Sequence, residues 1–143
     1  RFDFKIKTDK VVYLSDYAHH PEEIKQSILS MRALYGDKKL TGIFQPHLYT
    51  RTRDFYQEFA ESLSLLDEVI LTDIYPAREL PIEGVSSQLI YDNLRPDIDK
   101  ILCTKEEVID ILKKKEIEVL MTLGAGDIEN YAPQICEILN ERC

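Results

Sequence analysis

Residues 2–6 alternate apolar and polar side chains, and after Thr8-Asp9-Lys10 an apolar run follows, Val11-Val12-Tyr13-Leu14. A period of two on either side of a polar break predicts a β-hairpin. From Pro21 the period changes to that of a helix. Ile24, Ile28, Met31 and Leu34 recur on one face, and Glu22 and Glu23 stand where the macrodipole favours negative charge, so a helix is expected over 21–35. The chain then repeats the same alternation. A strand is expected over 40–45, and a helix through Phe55, Phe59, Leu63 and Leu66. Val69-Ile70-Leu71 is strand-like, 76–84 reads as a loop, and a short helix is expected within 85–94. Lys100-Ile101-Leu102-Cys103 suggests another strand. Thr104 and Glu107 form a capping box ahead of Val108, Ile111 and Leu112, a strand covers 118–123, and Ile128, Tyr131, Ile135 and Ile138 mark a closing helix.

Strands alternating with helices of this length predict an α/β fold: a Rossmann-like, mostly parallel sheet with helices on both faces and the hairpin at its start. Parallel neighbours need a crossover, and the helices supply it. The 143 residues suit one domain over 1–143. In such sheets ligands bind outside the carboxyl ends of the strands, so the loops after Leu14, Phe44, Leu71 and Leu123 are expected to line a site.

Composition narrows the function classes. Eighteen Lys and Arg stand against 26 Asp and Glu, a formal charge of −8, which repels a phosphate backbone, so general nucleic-acid binding is not expected. The apolar runs are strand-sized, too short for a membrane span, and the first ten residues lack the apolar middle of a secretion signal. Cys103, Cys136 and Cys143 form an odd set without C-x-x-C spacing, which fits a reducing cytoplasm rather than a disulfide framework or a zinc knuckle.

The chemistry is concentrated in two loops. The first, Ser15-Asp16-Tyr17-Ala18-His19-His20-Pro21, holds two of the three histidines at a helix N-terminus. Packing and capping explain such histidines equally well. Their neighbours widen the options: Tyr17 offers a flat face for a purine, and Asp16 accepts hydrogen bonds from ribose hydroxyls or an amine. The second, Gln45-Pro46-His47-Leu48-Tyr49-Thr50-Arg51-Thr52-Arg53, gathers a histidine and two arginines in an acidic chain. Arginine grips a carboxylate or phosphate through two parallel hydrogen bonds. Alternatively Thr50 is an N-cap and the arginines are solvated in the first turn, where their charge opposes the dipole.

The third loop, Asp73-Ile74-Tyr75-Pro76-Ala77-Arg78, and the fourth, Gly124-Ala125-Gly126-Asp127, say less by themselves. Two glycines let backbone approach a ligand, but Glu129 stands where a dinucleotide fingerprint needs a third small residue. The chain has no phosphate loop and no G-x-S-x-G elbow. Asp16, His19, His20 and His47 are donors suited to zinc or manganese, yet no H-E-x-x-H spacing is present, and no metal site is expected.

Taken in order, these loops resemble the C-terminal domain of the Mur ligases. The resemblance begins at Arg1-Phe2-Asp3, like the exit from the family's central domain, and continues through Asp73-Ile74-Tyr75-Pro76-Ala77-Arg78-Glu79 to Gly124-Ala125-Gly126-Asp127-Ile128. Gln45-Pro46-His47 followed by Thr50-Arg51-Thr52-Arg53 is similar to the family's alanine-adding members. The resemblance implies a fragment of a three-domain cytoplasmic enzyme of peptidoglycan synthesis, whose central domain holds the ATP phosphates and Mg2+. In that family the carboxylate of UDP-N-acetylmuramate is phosphorylated, and the amine of L-alanine attacks the acyl phosphate. The resemblance puts Asp16, Tyr17 and His19 on the adenosine side of the cleft. It puts His47 and Arg51, helped by Arg53, on the amino-acid carboxylate, and makes Asp16, His19, His47 and Arg51 the catalytic set. The partners implied are the substrates and the enzyme's own N-terminal and central domains, with neither nucleic acid nor membrane. Ser15 departs from the family's usual second acid, and Leu48 from its usual Arg. A peptide-adding ligase of recycled muramate, a stand-alone nucleotide or anion binder, and a metal-dependent hydrolase are the competing readings.

Overall fold

The computed structural model describes residues 2–142; Arg1 of the expected junction and Cys143 lie outside them. The hairpin forms as expected from β1 (Asp3–Lys7) and β2 (Val12–Asp16), antiparallel with a bulge between Phe4 and Ile6. Then come α1 (Pro21–Leu34), β3 (Leu40–Phe44), α2 (Tyr49–Leu63), β4 (Glu68–Leu71), α3 (Gln88–Asn93), β5 (Asp99–Leu102), α4 (Val108–Lys113), β6 (Val119–Leu123) and α5 (Ala132–Asn140). All six strands join one sheet in the order β1-β2-β6-β3-β4-β5, and every pairing except the hairpin is parallel.

Three expectations shift at the edges of elements. Ser15 and Asp16 belong to β2 rather than to the loop after it, because they pair with Thr122 and Leu123 of β6. Leu66 lies beyond α2, yet it is buried against Gly42 of β3, which is why it kept the helical phase. Ile128 and Tyr131 sit in a tight 3-10 turn, Asp127–Tyr131, and only after it does α5 begin. The Thr104–Glu107 capping box is present, and it opens another 3-10 turn, Lys105–Glu107, ahead of α4.

Alternation along the buried strands divides the core into two. Leu14, Leu40 and Phe44 point toward α1, α2 and α3, and Phe44 packs on Phe59 at 5.2 Å between ring centroids. Tyr13, Ile43, Ile70 and Leu120 point to the other face, toward α4 and α5. Burying each large apolar side chain is worth about 1.5–3 kcal/mol, and this term drives both faces closed. Tyr13 keeps its hydroxyl paired with Thr122 at 3.1 Å, and burial pushes its pKa up.

The two edges of the sheet differ. At the amino edge the buried Glu68 carboxylate is paired with Lys39 at 3.3 Å and Lys115 at 2.5 Å. At the carboxyl edge the loops after β2, β3 and β6 converge, because β6 lies between β2 and β3. No helix among the described residues is long and apolar enough to cross a membrane.

Candidate functional site

The side-chain bonds of Asp16 and Glu23 that shape the first loop come from residues close to it in sequence. Asp16 is only 8% exposed. One of its carboxylate oxygens accepts from the Ala18 N–H at 3.2 Å, and the other accepts a short hydrogen bond from the Ser27 hydroxyl of α1. Glu23 reaches back to the N–H groups of His19 and His20, both at 3.1 Å. Those bonds, His19 first, hold its carboxyl below the usual range. The loop is thereby fixed while Tyr17 remains 51% exposed. Beside it opens a cleft of about 400 Å³ lined by Phe2, Asp16, Tyr17, His19, Ser27 and Ala125. Ser15 donates to Glu129 at 3.4 Å, a contact that a second acid at this position would turn into repulsion.

The second loop is held from far away in sequence. The Tyr75 N–H donates to Pro46 O and the Leu48 N–H to Tyr75 O, both at 2.8 Å. The His47 ring stacks on Tyr75 at 5.6 Å and meets His19 edge-on at 6.2 Å. Gln45, buried, donates to Asp127 at 2.7 Å and accepts from the Ile128 N–H at 2.9 Å; Asp127 in turn pairs with Lys105. The fourth loop's glycines serve this packing. A Cβ at Gly124, where φ is +136°, would lie 2.7 Å from Gln45 O, and one at Gly126 would run into Gln45 and Tyr75.

Helix α2 begins in this loop, and its N-cap is Leu48 at φ 77°, not Thr50. Thr50 instead donates its hydroxyl to Glu79 at 2.5 Å. The same carboxylate accepts the N–H of Tyr49 at 2.6 Å and that of Thr50 at 3.1 Å. The Thr50 hydroxyl, ahead of the backbone donors, holds Glu79 below the usual carboxylate pKa.

One turn into α2 the half-buried Arg51 donates from Nη1 to His47 Nδ1 at 3.0 Å. A guanidinium has no acceptor, so Nδ1 is unprotonated and the His47 proton sits on Nε2. Burial, then the charges of Arg51 and His19, lower the His47 pKa and keep the ring neutral. Arg51 has no ion-pair partner among the described residues, whereas exposed Arg53 pairs with Asp54 at 2.9 Å. The expected set is thus brought together except for Arg53: Asp16, Tyr17 and His19 line the cleft, with His47 and Arg51 across the His19 edge contact.

Sequence reasoning assigned no role to Ser27, Tyr75 or Glu79. Ser27 lies on the buried face of α1, a signal that polarity obscured. Tyr75 and Glu79 stood within a quoted motif, but nothing local points to their partners. Among the described residues no group of three His, Cys, Asp or Glu is placed to hold a metal ion, and Cys103 and Cys136 are free thiols, burial pushing Cys103 up to about 11.

The family described as Mur ligase, glutamate ligase domain, matches residues 1–128. A UDP-N-acetylmuramate–L-alanine ligase of Phocaeicola vulgatus is 78% identical over 142 residues, covering 99% of this chain and 31% of the relative. One from Parabacteroides distasonis is 58% identical over 139 residues, covering 97% of this chain and 30% of the relative. The chain therefore spans about a third of the length of the curated relatives it matches. Among solved structures, a UDP-N-acetylmuramate-alanine ligase from Thermotoga maritima shares the fold with a TM-score of 0.78 at 24% identity, covering 100% of this chain and 30% of that one. A MurF ligase from the same organism, in complex with ADP, has a TM-score of 0.66 at 21% identity, covering 100% of this chain and 32% of that one. The shared fold and the match over most of its length lead to one conclusion: the chain belongs to the Mur ligase family, as its glutamate ligase domain.

Proposed function

We propose that this chain is the C-terminal domain of an ATP-dependent ligase joining L-alanine to the carboxylate of UDP-N-acetylmuramate, a step of peptidoglycan precursor synthesis in the cytoplasm. The observation that carries the reading is Arg51, a half-buried guanidinium held by a neutral histidine and lacking an acidic partner among the described residues. Such a group is arranged for an incoming carboxylate. The names of the relatives, identical at 58% and 78%, support L-alanine as the amino acid.

In this reading ATP supplies the phosphoryl group that activates the muramate carboxylate. Its phosphates and Mg2+ belong to another domain, for this chain offers no phosphate loop. Tyr17 gives a face to the adenine beside the cleft, Asp16 acts by fixing the loop on which Tyr17 stands, and His19 joins the adenosine side to His47. Arg51 and the Nε2–H of His47 hold the alanine carboxylate. The free amine then attacks the acyl carbon, the amide C–N bond forms, the acyl C–O bond breaks with its electron pair leaving on inorganic phosphate, and that phosphate takes up the proton the nitrogen loses. Placing the two reactants together and excluding water are this domain's share of catalysis.

Kinetics of the full-length enzyme test the assignment. Arg51→Ala is expected to raise the KM for L-alanine on the order of 100-fold, as removal of a charge-assisted hydrogen bond does, with the KM for ATP within about twofold. Equal increases in both would overturn the role of Arg51.

A further inference from the structure

Helix α2 presents its first N–H groups beside the proposed carboxylate site, and the residue at its N-cap, Leu48, has no side chain able to accept from them. The first helical residues of any helix lack intrahelical acceptors, and a bare N-terminus attracts anions. Here the acceptor comes from 30 residues downstream. Glu79 takes the N–H of Tyr49 at 2.6 Å, the N–H of Thr50 at 3.1 Å and the Thr50 hydroxyl at 2.5 Å.

We infer that Glu79 is a positioning residue for amino-acid binding, which caps α2 from outside so that the substrate carboxylate is read by Arg51 and not by the helix terminus. This rests on the reading of Arg51 given above. Two physical effects combine. The Glu79 carboxylate fills the site where a free carboxylate would otherwise compete, and its charge repels one from those amides. It also ties the first turn of α2 to the 75–79 segment, whose Tyr75 carries the stacked His47. Arg51 and His47 are therefore set by one framework, and loosening it misplaces both. Glu79 touches neither Arg51 nor His47 through a hydrogen bond; it reaches them through the backbone of α2 and, at His47, also through its charge, which opposes the lowering of that ring's pKa.

The test compares Glu79→Ala, Glu79→Gln and Arg51→Ala in the full-length enzyme, with KM values for L-alanine and ATP measured for each. Glu79→Ala is expected to raise the KM for L-alanine about tenfold with the KM for ATP within about twofold, as misplacement of a binding group does. Glu79→Gln, which keeps an oxygen for the two N–H groups, is expected to restore most of the loss. If Glu79→Ala does not fold, Glu79→Asp, whose carboxylate falls one methylene short, is expected to show the same selective rise. Unchanged values, or equal rises in both KM values, overturn the positioning role while Arg51→Ala still acts selectively. If Arg51→Ala is itself unselective, the reading of the carboxylate site fails, and the role of Glu79 with it.

Discussion

Helices α1 and α2 both start at the carboxyl edge of the sheet, and their starts are held in opposite ways. The α1 start is mostly local, its long-range ties being the Ser62 hydroxyl on Pro21 O at 2.8 Å and the Gly124 N–H on Asp16 O at 3.2 Å. Glu23 lies three and four residues from the N–H groups it accepts, Ser27 secures Asp16 across one stretch of chain, and Pro21 presets the first turn. The α2 start is borrowed: its capping carboxylate is Glu79, its N-cap Leu48 has a positive φ, and its loop rests on Tyr75 and the two glycines after β6. A locally held start fixes the 15–21 loop with few distant partners. A borrowed start makes the 45–53 loop depend on three loops at once, so a change in any of them reaches Arg51.

The largest way to break that difference is Gly124→Ala. The new Cβ would meet Gln45 O in a backbone conformation that alanine avoids, and a loss of about 3 kcal/mol is expected by denaturant unfolding. Ser27→Ala attacks the other start. It strips a buried carboxylate of one donor, and about 2 kcal/mol is expected, with the KM for ATP moving more than that for L-alanine. If Ser27→Ala moved both KM values alike, the two starts would not be independent.

The smallest effect is a pH dependence confined to the borrowed start. The folded-state pKa of His47 lies below its ordinary 6.5, so as pH falls through that value the unfolded chain takes up a proton first. The stability that neutral His47 contributes is full above 6.5 and is lost as pH falls toward the folded-state value. The stability advantage of the natural chain over His47→Gln is expected to shrink as pH is lowered across this window. An advantage that is flat with pH would remove the neutral ring from the account.

Hydrophobic periodicity was enough to place every strand and helix within a few residues, because each face of the sheet imposes its period on contiguous residues. It erred where tertiary packing continues a local phase, as at Leu66, or where pairing extends a strand into residues that look like loop, as at Ser15 and Asp16. The site residues divide similarly. Asp16, His19, His47 and Arg51 stood out as chemical types in an otherwise acidic chain, and the structure gathers them. Arg53 carries the same chemistry as Arg51, but two residues of helix rotate it by about 200°, and it pairs with Asp54 in solvent.

By itself, then, the sequence determined the α/β class, the order of elements and the loops that bear chemistry, since all of these arise from interactions between near neighbours in the chain. Only the tertiary structure decided which arginine meets His47, which proton His47 carries, and what caps α2. Those outcomes depend on β6 entering between β2 and β3 and bringing Gly124 and Gly126 against Gln45, and on the 75–79 segment pairing with 46–50. Distances along the chain do not encode such meetings; the closing of the sheet does.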